Sequence, residues 1–283
     1  MHAARNTGWL LIAFLTIVIA FPGGQGQAAG DSPLGEAAKK GDAATVRALI
    51  AKRVDVNEPG RDGSTALLWA AYNSDLPMAQ ALVAAGAKVN AANKYGVTPL
   101  LQASRTGAAP VVQALLRAGA DSKLSHSEGE TALMAASYAG SIDTVRLLLE
   151  TGVDVNATDA YQKQTALMWA ATEGHTDVVK ALLDAKADPN IKASVTTLTE
   201  RKHADHPTGG FTALMYAARN GHEDTIKALI AGGADPKLTN GDGATATIVA
   251  IVNDRFDLAR TLVDLGADAN DGSLYFAVDM HDA

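Results

Sequence analysis

A Thr-Ala-Leu-like triplet opens a short apolar run at Thr65, Thr98, Thr131, Thr165, Thr212 and Thr245, so successive starts lie 33, 33, 34, 47 and 33 residues apart. A period near 33 marks stacked supersecondary units, each too small to bury its own apolar face and each completed by its neighbours. An array of that kind offers a long continuous surface instead of a pocket. Binding is therefore the expected use of this chain, and catalysis the exception.

The unit from Gly129 to Gln162 shows how each copy is written. Thr131 stands where a helix N-cap is needed, its hydroxyl free to accept an early backbone N–H. Ala132 follows in the first turn, where the preceding unit has Pro99, a residue suited to that place. Leu133, Met134 and Ala136 give an apolar face, and Gly140 ends this short helix. A second helix begins near Ile142 and carries Val145, Leu148 and Leu149 at i, i+3 and i+4. Gly152 supplies a residue able to take positive φ, and Asp154-Val155-Asn156 leads into a polar hairpin. The second-helix triplet recurs as Val46/Leu49/Ile50, Ala79/Leu82/Val83, Val112/Leu115/Leu116, Val179/Leu182/Leu183, Ile226/Leu229/Ile230 and Ala259/Leu262/Val263.

Gly-x-Thr-Ala/Pro-Leu, a small-residue helix, Gly-His, Val-x-x-Leu-Leu and Gly-Ala-Asp-x-Asn together resemble ankyrin repeats, most clearly from Gln164 to His175. The resemblance covers residues 33–283, as about seven full repeats and a partial eighth. It implies an all-α repeat solenoid of stacked helix–turn–helix units with short β-hairpin loops, the first helices lining the concave side. It also implies that a protein or peptide partner is held by hairpin tips and the exposed part of the first helices. On this chain those positions are Arg61, Lys94, Tyr95, Ser127 and Tyr161 on the tips, and Tyr72, Asn73, Arg105, Thr106, Tyr138, Thr172, Glu173, Arg219 and Asn220 on the helices. Trp69, Trp169 and Tyr216 share one first-helix position and read as packing residues before they read as a groove stripe.

The chain departs from the family pattern in several places. Leu68, Leu101, Met134, Met168, Met215 and Ile248 stand where the family often has His, so packing replaces a polar tether. Arg53 and Lys186 replace the closing glycine of a second helix, and Ser74 and Asp254 the glycine between helices. About 14 extra residues fall between Asn190 and Thr212, giving an inserted finger over 191–209 at a hairpin tip. Insertions in repeat proteins map to loops, often on the binding face. Within it His203 and His206 are three apart with Glu200 near, but no rigid element is evident to hold a zinc ion, so they read as solvated loop histidines. From Asp271 the chain reads as another first helix, with Leu274, Tyr275, Phe276 and Val278 too apolar for a solvated cap, so a chain cut inside a repeat is expected.

Residues 1–28 have the layout of a secretory signal peptide: Arg5, an apolar run from Trp9 to Phe21, and a small-residue cleavage site at 26–28. The run is short for a membrane span of about 20 residues. The expected location is therefore exported, periplasmic or extracellular. There is no cysteine, which excludes disulfides, thiolate catalysis and Cys-ligated metal. The formal net charge of −7 argues against nucleic acid and anionic lipid as partners. No nucleophile elbow, phosphate-binding glycine loop, zincin helix or dinucleotide fingerprint appears, so no catalytic, cofactor or metal residue is assigned. His175 and His222 begin second helices and read as structural. The expected function is a non-catalytic interaction scaffold. The alternative is the N-terminal recognition arm of a longer enzyme or electron-transfer protein.

Overall fold

The computed structural model describes residues 32–197 and 207–272. Its described residues form seven helix pairs. They are α1 (Pro33–Lys39) with α2 (Ala43–Ala51), α3 (Ala66–Tyr72) with α4 (Leu76–Ala84), and α5 (Pro99–Arg105) with α6 (Ala109–Arg117). Then come α7 (Ala132–Tyr138) with α8 (Ile142–Leu149), α9 (Ala166–Glu173) with α10 (Thr176–Asp184), α11 (Ala213–Asn220) with α12 (Glu223–Ala231), and α13 (Ala246–Val252) with α14 (Phe256–Asp264). The chain is an all-α repeat solenoid. Residues 1–28, Glu200, His203, His206 and the apolar run beginning at Leu274 lie outside the described residues.

Each of the six recurring threonines does cap its helix: the hydroxyl accepts the backbone N–H three residues on, at 3.2–3.4 Å. Ser32 plays the same part for α1, accepting from Gly35. First helices pack on first helices and second on second, so the array has two layers. The first-helix layer is the tighter, because fully buried Ala70, Ala71, Ala103, Ala136, Ala170, Ala171, Ala217, Ala218 and Ala250 let backbones approach. Leu82, Leu115, Leu148, Leu182, Leu229 and Leu262 hold the second layer at wider spacing, each fully buried. Unequal layer spacing bends the stack toward the first helices.

Backbone turns between units are held by side chains more than by strands. Asp55, Asp121, Asp154, Asp188, Asp235 and Asp268 each accept the N–H two residues on. At the tips Asn93 accepts from Tyr95 and Val97, Asn240 from Asp242 and Ala244, and buried Asp159 from Tyr161, Gln162 and Gln164. Neighbouring tips are stitched edge to edge by Lys94 N–H to Asp62, Ala160 to Glu128, Ser194 to Gln162 and Gly241 to Gly209. Among the described residues the only paired strands are β1 (Val195–Thr197) and β2 (Pro207–Gly209), antiparallel with Val195 opposite Gly209. They form the base of the insertion, and Ser194 beside β1 and Gly209 of β2 bond to the tips on either side.

The four glycine replacements noted in the sequence carry a backbone consequence. Arg53, Ser74, Lys186 and Asp254 all sit at φ between 55° and 69°, the region an L side chain rarely adopts. Lys163 joins them at φ 56°, where other units have Gly63, Gly96, Gly129, Gly210 or Gly243.

Candidate partner-binding face

Counting from each cap residue, the seventh position of the first helix is exposed or half-exposed in every unit, while the fourth ranges from half-buried Trp69 and Trp169 to buried Ala135, Tyr216 and Val249. The seventh positions run Lys39, Tyr72, Arg105, Tyr138, Thr172, Arg219 and Val252 along the array. Cation and tyrosine thus alternate through the first four units. The fourth positions, Trp69, Gln102, Ala135, Trp169, Tyr216 and Val249, lie behind them.

Ring contacts join the two rows. Trp69 and Tyr72 meet edge to face at 5.7 Å, and the Lys39 ammonium stands 5.0 Å over the Trp69 ring. Tyr138 meets Trp169 of the next unit in the same geometry at 5.7 Å. Further along, the Arg219 guanidinium covers Tyr216 at 5.1 Å and Phe211 at 5.6 Å. The Tyr216 hydroxyl accepts from Gln164 at 2.7 Å, across the insertion. Burial pushes that hydroxyl above its ordinary value near 10.0, with the Gln164 bond and Arg219 pulling the other way. Trp69 and Trp169 pack on the core with part of each ring exposed, and Tyr216 is buried. The shared position therefore serves the core first, and the two tryptophans also floor the groove.

The residues expected on this face divide by what their polar atoms already do. Tyr72 and Tyr138 are 55% and 54% exposed, and the tip residues Tyr95 and Tyr161 are 61% and 82% exposed. Lys94 and Glu173 are exposed as well, as are Ser127 and Thr106, whose hydroxyls donate to the Tyr95 and Ala103 carbonyls. Arg61 is exposed at a cavity of about 180 Å³ that Lys39, Asp62 and Trp69 also line. Asn73 and Asn220 are differently occupied. The Asn73 amide donates to the Ala38 and Lys39 carbonyls and that of Asn220 to Thr172, so both fasten one unit to the one before. Arg105 is half-buried in a two-pronged ion pair with Glu130 of the next unit. Thr172 donates to Met168 within its own helix.

Lys39, Glu130, Gln164 and Phe211 take part in this face although the sequence does not single them out for it. Lys39 could have been found by counting seven from Ser32, had that serine been recognised as the first cap. Nothing in sequence pairs Gln164 with Tyr216, because the insertion separates them.

His175 and His222 each bond to the unit before them. Each Nε2 lies 3.0 Å from a carbonyl of the preceding unit, Tyr138 or Thr172, and a carbonyl only accepts, so Nε2 carries the proton. The rings also lie over Gly140 and Gly174, where a Cβ would come within 2.6 and 2.5 Å of them. Among the described residues no group of three His, Asp or Glu side chains could hold a metal ion, and no helix is long and apolar enough to cross a membrane.

A family model described as ankyrin repeats in three copies matches the sequence over residues 1–93, 34–126, 100–193 and 194–273. The fold is similar to the crystal structure of the human ASB11 ankyrin repeat domain at TM-score 0.69 and 28% identity, covering 82% of this chain and 97% of that one. No curated protein matches the sequence.

Proposed function

Because this chain belongs to the ankyrin-repeat family, we propose that it is a non-catalytic scaffold that binds a protein or peptide partner on the first-helix face and the hairpin tips. Ankyrin-repeat domains are generally protein–protein interaction scaffolds. The observation that carries the reading for this chain is the row of half-exposed Tyr72 and Tyr138 set between Lys39, Trp69 and Trp169. Rigid aromatic side chains with a polar end are the types enriched at interface hot spots. Arg61, Lys94, Tyr95, Tyr161, Glu173 and the outer face of Arg219 surround that row as rim contacts. Asn73, Asn220 and Arg105 shape the surface while their polar groups hold units together. We further propose export of the chain to the periplasm or cell exterior, resting on the leader-like residues 1–28.

The test is capture of partners from the exported fraction with the wild-type chain, with Tyr72→Ala/Tyr138→Ala, and with a chain lacking 196–207. A partner held by the wild type and lost by the double-tyrosine variant is the expected result. Retention by that variant and loss on deleting 196–207 would move recognition to the insertion. N-terminal sequencing of the exported chain should find a start near Ala29; an intact Met1 would refute cleavage.

A further inference from the structure

Consecutive units are fastened by a carboxamide at three junctions. The Asn57 amide donates to the Gly86 carbonyl while its oxygen accepts the Lys88 N–H, at 3.1 and 2.7 Å. Asn90 makes the same pair with Gly119 and Asp121, and Asn190 with Gly233 and Asp235. Asn156 makes the accepting half, with Asp188. Between Asn90 and Asn156 the position is Lys123, whose ammonium cannot accept. The counterpart atoms in the next unit are the Gly152 carbonyl and the Asp154 N–H, and neither has a protein partner among the described residues. A cavity of about 300 Å³ opens at this place, lined by Ser122, Lys123, Leu133, Gly152, Val153 and Asp154. Ser122 is buried and turned to Thr151 at 2.8 Å, so it does not refill the gap.

We infer that this cavity is a binding site for a primary carboxamide, taken from a glutamine or asparagine side chain or from a small amide. The lining includes Gly152 and Asp154, whose carbonyl and N–H are the repeat counterparts of the acceptor and donor that Asn57, Asn90 and Asn190 bridge at the other junctions. A primary amide offers an N–H and an oxygen on the same edge and satisfies both. A trans peptide group directs its N–H and C=O to opposite sides and satisfies one. A carboxylate would accept from Asp154 N–H and could draw on the Lys123 ammonium in the lining, but it has no N–H for the Gly152 carbonyl and sets its second oxygen against it, with the Asp154 side chain near. The site does not depend on the tyrosine row; if it serves a protein partner, it adds a glutamine- or asparagine-reading subsite to that scaffold.

Titration of the isotope-labelled protein with propionamide, with propionate and with a capped glutamine, followed by amide NMR, tests the assignment. Propionamide should move the Asp154 and Val153 resonances saturably, propionate should leave them in place, and Lys123→Asn should abolish the response by filling the site from within. A response to both propionamide and capped glutamine assigns the site to side chains; a response to propionamide alone assigns it to small amides. Absence of any response at these two amides, an equal response to propionate, or a response that survives in Lys123→Asn would overturn the inference. None of these results depends on whether a partner is captured through Tyr72 and Tyr138.

Discussion

Five side chains occupy backbone positions suited to glycine, and what surrounds each decides what that costs. A left-handed L residue costs about 1–2 kcal/mol, while glycine gives back about 0.5–1 kcal/mol in chain entropy. Arg53, Lys163 and Lys186 are exposed and make no side-chain bond, so glycine at each should raise stability by a few tenths to about 1 kcal/mol, read as a shift in urea midpoint. Ser74→Gly should gain less, because its hydroxyl donates to Thr106 at 3.2 Å. The reverse change is more damaging at Gly140 and Gly174, where the following unit's histidine occupies the space. Ser74 is tolerated because the residue at that place in the next unit is Ala108. Tyr216 gives the residue-scale pH prediction. Its hydroxyl is held above the ordinary value by burial, so its contribution is full below about pH 10 and is lost as pH rises through the raised value. Tyr216→Phe should lose the Gln164 bond, about 0.5–1.5 kcal/mol at neutral pH, and flatten the alkaline decline measured by denaturant unfolding at stepped pH.

At the scale of the element, capping and bridging set how firmly each unit joins the next. All six recurring threonines accept from their third helical residue, and removing one hydroxyl by Thr→Ala should cost about 1 kcal/mol. Second helices are started less uniformly. Asp42 and Asp75 cap α2 and α4 through their side chains, whereas α6, α8, α10, α12 and α14 have no such bond. For α10 and α12 the histidine at the start bonds to the preceding unit instead, so that residue trades a cap for a junction. The asparagine bridges make the same kind of link on the opposite side of the turn. Asn90→Ala removes both bonds to Gly119 and Asp121 and should lower stability by about 1–3 kcal/mol by thermal or urea unfolding, while leaving helix content unchanged.

Across the whole molecule, stability is close to a nearest-neighbour sum, so the weakest junction decides where the array opens. The last described pair, α13–α14, combines several weaknesses. Lys237 replaces the bridging asparagine before it, Asp254 holds a left-handed backbone, and the contact of α14 with α12 is the sparsest between second helices. Amides of α13 and α14 should therefore exchange with solvent before those of α7 to α10, in hydrogen-exchange measurements under native conditions. Uniform protection across all pairs would show that cooperativity spans the array. The same view bears on recognition: Tyr138 and Trp169 meet between two central units, while Tyr216 bonds to Gln164 of the unit before the insertion.

Periodicity by itself determined the solenoid, the helix pairs, the threonine caps and the places where non-glycine residues must adopt positive φ. Those features are local, or repeat at a fixed interval, so a single chain position reports on all its equivalents. Lys163 is less legible, because a lysine in a polar tip reads as a solvated turn residue until its φ of 56° is known. The tertiary structure decided what no interval encodes, namely which atoms meet across units. Arg105 and Asn220 look in sequence like groove anchors, yet the neighbouring unit supplies Glu130 and the Thr172 carbonyl that take up their polar groups. Gln164 meets Tyr216 because α9 and α11, on either side of the insertion, pack directly on each other. Lys123 reads as an ordinary exposed lysine until three asparagines at its equivalent positions are seen to bridge. Register along the chain is set by local hydrogen bonding; the occupancy of a surface is set by packing between units distant in sequence.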